Sequence, residues 1–458
     1  MRSAVRNPHR RFVRIVVVAA LLASTVLTNF ALGWERDING PGDNEAHTIA
    51  VTHTGDVVVA GSLIVDRPGR RSANVGVMKL SGPTGTTLWQ RLFLGEARRI
   101  VIDAQGNAVL AGFTRGPRFA VIKLAGENGA VRWRHRLRRG IAYAAATDAR
   151  GDVVASGAFS TAGLAAGGGE EGPDWIVLKL ARASGAEKWR SVIRGGGVLG
   201  VNAAFAVVVD TAGDVIAAGQ TNSPTSGPHE DPAITNLTVV KLAGGDGRRI
   251  WRYDLTSAAV NASGLASAVQ VDPTGDVIVS GVTGSNPRTS APSDFTVAKL
   301  AGRSGLELWR QTISGPDNGA ADIAVDVNGD VIAVGQVADP GSTLATFAAV
   351  KLGSSDGREL WRVTIDGTSH VDGRASAVAL DSAGNAAVVG FVQDSITGGD
   401  FLVIRVDPDG RELARYQIAN SSADTAWAVA IDRGDRIIAG GTISEDGLRS
   451  SFTVATFP

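Results

Sequence analysis

One pattern recurs eight times along the chain and restricts the fold more than any other feature. A representative copy reads ASAVQVDPTGDVIVSG, then a variable stretch, then DFTVAKLAGRSGLELWRQTISG, and successive copies lie 44 to 62 residues apart. Each copy has four short alternating segments rich in Val and Ile, separated by glycine-containing turns, with no helical periodicity. Four antiparallel strands in about 50 residues are typical of one propeller blade. The sequence therefore predicts an all-β, eight-bladed β-propeller.

The eighth copy is incomplete, and the missing piece lies at the other end of the chain. The C-terminus, SFTVATFP, stops after a third strand, whereas GWERDING at residues 33–40 resembles a fourth strand. In that segment Trp34 and Ile38 have the spacing of Trp309 and Ile313. Pairing the two chain ends in one sheet removes two unpaired strand edges. We therefore predict that a strand from the N-terminus closes the last blade and the ring.

The first 33 residues have the composition of a secretory signal. Five arginines and no acidic residue occur there, and an apolar run from Ile15 to about Leu27 precedes Ala31-Leu32-Gly33. This pattern predicts a signal peptide at 1–33, a propeller at 34–458 and an exported protein of the periplasm or extracellular space. An uncleaved membrane anchor is the alternative, because residues 15–33 approach the length of a membrane span.

Charge and cysteine content exclude several classes of protein. Of the 45 basic and 45 acidic residues, the 33-residue segment holds five basic ones, so the remainder carries 40 against 45. A mildly acidic chain is a poor nucleic-acid binder, which needs a basic footprint. The absence of cysteine excludes disulfides, thiolate metal sites, a lipid-modified cysteine and a catalytic thiol. We expect a monomer that is held together by its core.

Two repeated residue types have a structural interpretation. A tryptophan stands once per unit, and this regularity predicts packing of blade against blade rather than an aromatic ligand box. These residues are Trp34, Trp89, Trp133, Trp189, Trp251, Trp309 and Trp361, and Ala414 takes the place in the last copy.

The turn DVNGD at 326–330 is similar to the start of a calcium loop. Its sibling turns lack the middle ligand, so hairpin geometry is the prediction and no metal site is expected.

Two motifs resemble known propeller families. KLAGRSGLELWR resembles the tryptophan-docking repeat of quinoprotein-like propellers, and GDVIVSGVT with DFTVAKL resembles the delta-60 type of bacterial propeller repeat. Quinoprotein dehydrogenases would imply pyrroloquinoline quinone, calcium-binding carboxylates and often adjacent cysteines. Here cysteine is absent and no unit contains an inserted carboxylate cluster. The resemblance therefore implies a member without catalysis or cofactor, similar to the propeller of the outer-membrane assembly machinery or of surface-displayed repeat proteins.

The sequence places candidate ligand contacts on one face of the ring. The loops between second and third strands vary in length, from residues 113–118 to residues 220–235, and join the blade links on that face. First strands enter the axial channel there, and their first positions differ between units while deeper positions are mostly Val, Ile and Ala. The predicted contacts at this channel mouth are His47, Arg98, Arg99, Tyr143, Asp322 and Trp427. Tolerance of variation at exposed positions is the alternative interpretation.

A basic segment and an acidic one need separate interpretations. VRWRHRLRRG at 131–140 places alternate arginines on an outermost strand, which suits an anionic polymer or lipid headgroups. Alternatively, these arginines discourage edge-to-edge pairing of the outermost strand, and we favour this interpretation. GGGEEGPD at 167–174 is too glycine-rich to hold a metal unaided.

Together these features predict an exported, non-catalytic propeller that binds a protein, peptide or glycan through its variable loop face. Nucleic acid is not an expected partner, and contact with a membrane is expected only if the N-terminal segment stays attached. The alternative is an enzyme at the channel mouth, either a divergent quinoprotein-type oxidoreductase with pyrroloquinoline quinone and calcium or another propeller enzyme. A scaffold within an envelope complex is a third possibility.

Overall fold

The described residues of the computed structural model form 32 β-strands and contain no helix. It describes residues 28–29, 33–39, 42–67, 70–160, 173–195, 202–223, 234–256, 263–285, 293–338, 344–366, 372–393, 398–418, 424–444 and 449–458. Within these ranges no helix is long and apolar enough to cross a membrane. The predicted signal peptide at 1–33 lies outside them apart from Thr28–Asn29 and Gly33, and most of the acidic loop at 167–174 also lies outside.

The strands form blades of four, and the outer strand of blade 1 continues as the inner strand of blade 2. Blade 1 contains β3 (Glu45–Val51), β4 (Val57–Arg67), β5 (Arg70–Leu80) and the first half of β6 (Thr87–Ile102). Blade 2 contains the rest of β6, β7 (Ala108–Thr114), β8 (Arg118–Leu124) and β9 (Val131–Arg136). Blade 3 contains β10 (Ile141–Thr147), β11 (Val153–Phe159), β12 (Asp174–Leu180) and β13 (Glu187–Ile193). Blade 4 contains β14 (Ala203–Val209), β15 (Val215–Asn222), β16 (Thr235–Leu242) and β17 (Arg249–Leu255).

The second half of the ring repeats this arrangement. Blade 5 contains β18 (Ser263–Val271), β19 (Val277–Ser285), β20 (Ser293–Leu300) and β21 (Glu307–Gly315). Blade 6 contains β22 (Gly319–Val325), β23 (Val331–Val337), β24 (Thr346–Leu352) and β25 (Glu359–Ile365). Blade 7 contains β26 (Gly373–Leu380), β27 (Ala386–Val392), β28 (Asp400–Val406) and β29 (Glu412–Ile418). Blade 8 contains β30 (Thr425–Ile431), β31 (Ile437–Ser444), β32 (Ser450–Phe457) and, from the N-terminus, β2 (Trp34–Ile38).

The last blade is completed from both ends of the chain. β2 pairs antiparallel with β32, so that Trp34 lies opposite Thr456 and Ile38 lies opposite Phe452. Phe452 then packs with Ile49 of blade 1 in one buried apolar cluster. A comparable cluster fills the seam between every other pair of neighbouring blades. The predicted eight-bladed propeller with an N-terminal closing strand is confirmed.

A tryptophan spans each of seven seams. The indole nitrogens donate to a backbone carbonyl in the turn between the third and fourth strands of the next blade, at 2.7–3.1 Å. The donors Trp34, Trp89, Trp133, Trp189, Trp251, Trp309 and Trp361 pair in that order with Gly82, Gly126, Arg182, Gly244, Gly302, Ser354 and Pro408. Each ring also lies against a turn glycine: a Cβ built on Gly305, at φ 73°, would come within 2.7 Å of the Trp251 ring.

The last copy of the repeat has Ala414 at the tryptophan position, and the next blade has no turn there for an indole ring to contact. In blade 8 the third strand is the C-terminus and the fourth is the N-terminus, so no turn joins them. The two-residue strand β1 (Thr28–Asn29) instead pairs with β29 at Ala414 and Arg415. The exception in the repeat therefore falls at the seam where the third and fourth strands of the next blade are β32 and β2 rather than one hairpin.

The repeated turn aspartates bind lysine. Asp272 Oδ2 lies 2.7 Å from Lys299 Nζ, and its Oδ1 accepts the backbone N–H groups of Thr274 and Asp276 at 2.9 Å. Burial works against the charge, but the hydrogen bonds from Lys299 and Thr274 hold the pKa of the Asp272 carboxyl below its usual range. Lys299 also donates to the Ser354 carbonyl that accepts the indole N–H of Trp309. The hairpin role was expected from the sequence, whereas the lysine partner was not.

Candidate functional site

An irregularity interrupts the first strand of every blade at the same point. The register between first and second strands skips one residue in each blade. The skipped residues are His47, Arg98, Tyr143, Phe205, Ser267, Ala321, Ser376 and Trp427. A β-bulge leaves its extra residue out of the ladder and re-aims the side chain. Four of the six predicted contacts, His47, Arg98, Tyr143 and Trp427, lie at these bulges, and Arg99 and Asp322 each follow a bulge by one position.

A glycine opposite each bulge makes the irregularity possible. These glycines are Gly61, Gly112, Gly157, Gly219, Gly281, Gly335, Gly390 and Gly441. A Cβ on any of them would lie within 1.8–2.0 Å of a carbonyl oxygen in the first strand. The last glycine of VIVSG and of its seven equivalents was therefore a sequence signal for the bulges, and sequence reasoning treated it only as part of the repeat.

Polar side chains form a continuous chain across the mouths of blades 1 and 2. His47 Nε2 lies 2.9 Å from Glu45 Oε2, and His47 Nδ1 lies 3.9 Å from Glu96 Oε1. Arg98 Nη2 reaches the same Glu96 oxygen at 2.9 Å. The hydrogen bond from His47 lowers the pKa of the Glu45 carboxyl. The structure thus joins His47 and Arg98 through Glu96, while Glu45 contacts only the other ring nitrogen of His47. Sequence reasoning missed both glutamates, because the contact of Glu96 with His47 depends on the packing of neighbouring blades.

Aromatic side chains continue this wall into blades 3 and 4. The rings of Tyr143 and Phe205 meet edge to face, with centroids 5.1 Å apart. Burial raises the pKa of the Tyr143 hydroxyl, the charge of Arg98 opposes the rise and Glu96 adds to it. Tyr143 therefore lies within electrostatic range of both members of the Arg98–Glu96 pair, and the wall spans four consecutive blades.

The opposite side of the mouth is built from smaller groups around one carboxylate. Asp322 accepts the backbone N–H groups of Ile323 at 2.9 Å and of Val378, in blade 7, at 3.2 Å. Burial raises the pKa of the Asp322 carboxyl, and the positive charge of Arg99 partly offsets this effect. Arg99 belongs to blade 2, which stands opposite blade 6 in a ring of eight, so the two charges act on each other across the axis. Ser376 is small, and its hydroxyl oxygen is buried with no hydrogen-bond partner.

Trp427 stands apart from these groups. Its indole ring is 42% exposed, and its nitrogen donates to Thr442 Oγ1 of its own blade at 3.3 Å. The predicted contacts thus divide into the wall with His47, Arg98 and Tyr143, the pair of Arg99 and Asp322, and Trp427. The bulged side chains are large over blades 1–4 and small over blades 5–7.

Asp322→Asn is expected to stabilise the protein more at pH 8 than at pH 4. Because the folded-state pKa is raised, the folded state binds more protons than the unfolded one, so this carboxyl costs stability as pH rises from the ordinary aspartate pKa through the raised value. The amide has no such titration. Thermal melts of the variant and of the natural chain across this pH range measure the effect, with Asp356→Asn at an exposed turn as the control. A difference in Tm that stays constant with pH would contradict the expectation.

The chain is similar to one protein family in sequence and to several solved structures in fold. Residues 73–291 match a family model described as outer membrane protein assembly factor BamB. BamB from Moraxella catarrhalis is 15% identical with a TM-score of 0.56, over 93% of this chain and 99% of that one. Quinohemoprotein alcohol dehydrogenase from Comamonas testosteroni is 12% identical with a TM-score of 0.57, over 93% of this chain and 76% of that one. Sqt1 from Saccharomyces cerevisiae is 8% identical with a TM-score of 0.58, over 94% of this chain and 99% of that one.

Among curated proteins no sequence matches the chain. At identities this low, the structural likenesses show a shared fold alone, since one propeller architecture carries many unrelated functions.

Proposed function

We propose that this chain, a bacterial β-propeller of the quinoprotein-like type, is an exported, non-catalytic scaffold that binds a protein, peptide or glycan through its loop face. The observation that carries the proposal is the mouth itself. Eight blades share their turns, seams and bulges, yet the bulged side chains differ from blade to blade. A uniform frame that presents unlike side chains at one opening is suited to recognition. The BamB family match supports a role beside other envelope proteins.

The carboxylates of the mouth do not fit a bound quinone with calcium. Calcium takes six to eight oxygen ligands and prefers clustered carboxylates. Glu45 and Glu96 are engaged by His47 and Arg98, and Asp322 lies on the other side of the axis with backbone N–H partners. In the part of the chain that the structure describes, no three His, Asp or Glu side chains are grouped to hold a metal ion. We therefore propose no cofactor and derive no reaction step.

A pulldown tests the scaffold function. Residues 34–458, immobilised and exposed to an envelope extract, are expected to capture a partner that mass spectrometry identifies and calorimetry then titrates. Arg98→Ala with Arg99→Ala is expected to weaken this partner at least tenfold. The matched control is Arg303→Ala with Arg358→Ala, a pair of exposed arginines on blades 5 and 6.

Two results would count against the scaffold. One is a partner that binds the mouth variant and the control variant with equal affinity. The other is capture of no partner from any envelope fraction.

A further inference from the structure

Blade 2 differs from the rest of the ring in charge. Residues 95–140 contain ten basic and three acidic residues, whereas the remainder of the chain contains 35 basic and 42 acidic ones. Nine of the ten side chains are exposed: Arg98, Arg99, Arg115, Arg118, Arg132, Arg134, Arg136, Arg138 and Arg139. Such clustering creates a local positive potential that favours anionic partners.

The outer strand of blade 2 lacks a Glu–Arg pair that four other blades have, although its Arg132 Nη2 lies 3.5 Å from Glu127 Oε1 in the preceding turn. In β13, β21, β25 and β29 a glutamate binds the arginine three residues later, at 2.6–3.4 Å. In β9 the glutamate position is occupied by Val131, and the Arg134 guanidinium lies 5.4 Å above the ring of Phe93. Charged side chains on an outer strand are enough to prevent edge-to-edge pairing, and the blades with the Glu–Arg pair carry such side chains. Because β9 carries Arg132, Arg134 and Arg136 without this glutamate, it keeps a positive charge that suits an external anion.

An apolar cleft lies beside this basic strand, between blades 1 and 2. Its lining includes Phe93, Leu94, Phe113 and Ile122, together with Glu96. Because β6 runs directly from blade 1 into blade 2, no loop crosses the seam here. The connection from β7 to β8 is only three residues long and leaves the cleft uncovered.

The wall from blade 1 is more apolar than the same position elsewhere. β6 contains Leu92-Phe93-Leu94 where blades 5 and 6 have Thr312-Ile313-Ser314 and Thr364-Ile365-Asp366. Leu94 is 40% exposed although it lines the cleft. An exposed apolar side chain at a concave site, with charged residues around it, marks an interaction surface.

We propose that this cleft binds an extended acidic peptide segment of a protein partner, with one large apolar side chain in the cleft and carboxylates on the surrounding arginines. The proposal rests on the proposed scaffold function and assigns it a partner chemistry. The cleft is lined almost entirely by apolar side chains, so it suits contact with an apolar side chain of the partner. A nucleic acid or a sugar polymer supplies charge or hydroxyl groups but no apolar side chain to fill it.

Selection of random twelve-residue peptides displayed on phage tests this chemistry on the propeller chain. The expected peptides are enriched in Asp and Glu around one Phe, Leu or Trp. A fluorescent copy of the consensus peptide is expected to bind at least tenfold more weakly to Leu94→Asp and to Arg134→Ser with Arg136→Ser. It is expected to bind unchanged to Leu360→Asp, equally exposed on blade 6, and to Arg303→Ser with Arg358→Ser.

Other outcomes overturn the proposal. Selected peptides without acidic enrichment, or equal binding to the Leu94→Asp variant, would do so. The surface would be assigned to a polyanion instead if phosphatidylglycerol vesicles or duplex DNA bound it under three conditions. Their binding would require Arg134 and Arg136, would be unchanged by Leu94→Asp and would not be displaced by the peptide. A captured partner that is lost with Arg98 and Arg99 but kept by the Leu94→Asp variant would sustain the scaffold function and reject only the peptide cleft.

Discussion

Deletion of Trp34–Ile38 is expected to lower the free energy of unfolding by at least about 5 kcal/mol, because several interactions vanish together. Blade 8 loses its outer strand, and β32 is left with an unpaired edge. The seam to blade 1 loses the Trp34 indole, which donates to Gly82 O at 2.7 Å and covers Gly85. Burial of one tryptophan alone contributes about 3 to 5 kcal/mol. Urea denaturation followed by tryptophan fluorescence and circular dichroism measures the loss.

Two controls separate ring closure from the loss of any tryptophan. Trp427→Ala removes the same ring from an exposed position and is expected to change stability by less than about 1 kcal/mol. A synthetic peptide with residues 33–40 should restore part of the stability when it is added to the shortened chain. An unchanged urea midpoint after the deletion would show that these five residues do not close the ring.

Gly219→Ala is expected to destabilise the protein by roughly 4 kcal/mol or to prevent folding, although it adds a single methyl group. The new Cβ would lie 2.0 Å from the Ala203 carbonyl oxygen and 2.8 Å from the Ala204 Cα, and both are backbone atoms that cannot rotate away. The bulge at Phe205 would have to open, which would disturb the seam to blade 3.

The matched control for this change lies in the same blade. A Cβ on Gly245 would meet nothing within 4 Å, so Gly245→Ala should be nearly neutral. Thermal melts of the two variants, with expression and solubility recorded, distinguish the two sites. Equal Tm values would mean that the bulge relaxes at little cost and that its glycine is not required by sterics.

The sequence predicted the ring because its periodicity is local. Alternation of period two and turn glycines are properties of short segments, and the match of Trp34 and Ile38 to Trp309 and Ile313 needs no coordinates. Counting from the turns also selected His47, Arg98, Tyr143 and Trp427, which the structure places at bulges. It did not reveal that these residues sit in bulges, since a bulge is a relation between two strands rather than a property of one.

The details of the site were harder to predict because they arise between blades. Glu96 meets both His47 and Arg98 only when blade 2 has packed against blade 1. Asp322 and Arg99 interact across the axis, more than 200 positions apart in the chain. The cleft at Leu94 could have been predicted from the sequence, because an alignment of the fourth strands shows that the run Leu92-Phe93-Leu94 is unusually apolar.

The last blade is built from both ends of the chain, and this also sets the order in which its strands can dock. Trp34 leaves the ribosome before any complete blade, and its partner Thr456 follows 422 residues later. The turn at Gly82 and Gly85, however, belongs to blade 1 and arrives early, so Trp34 has a docking place long before β32 exists. Since the N-terminal part of a chain emerges first during synthesis, β2 would wait on the flank of blade 1 as a template. The final strand to arrive would then find its neighbour already held in position.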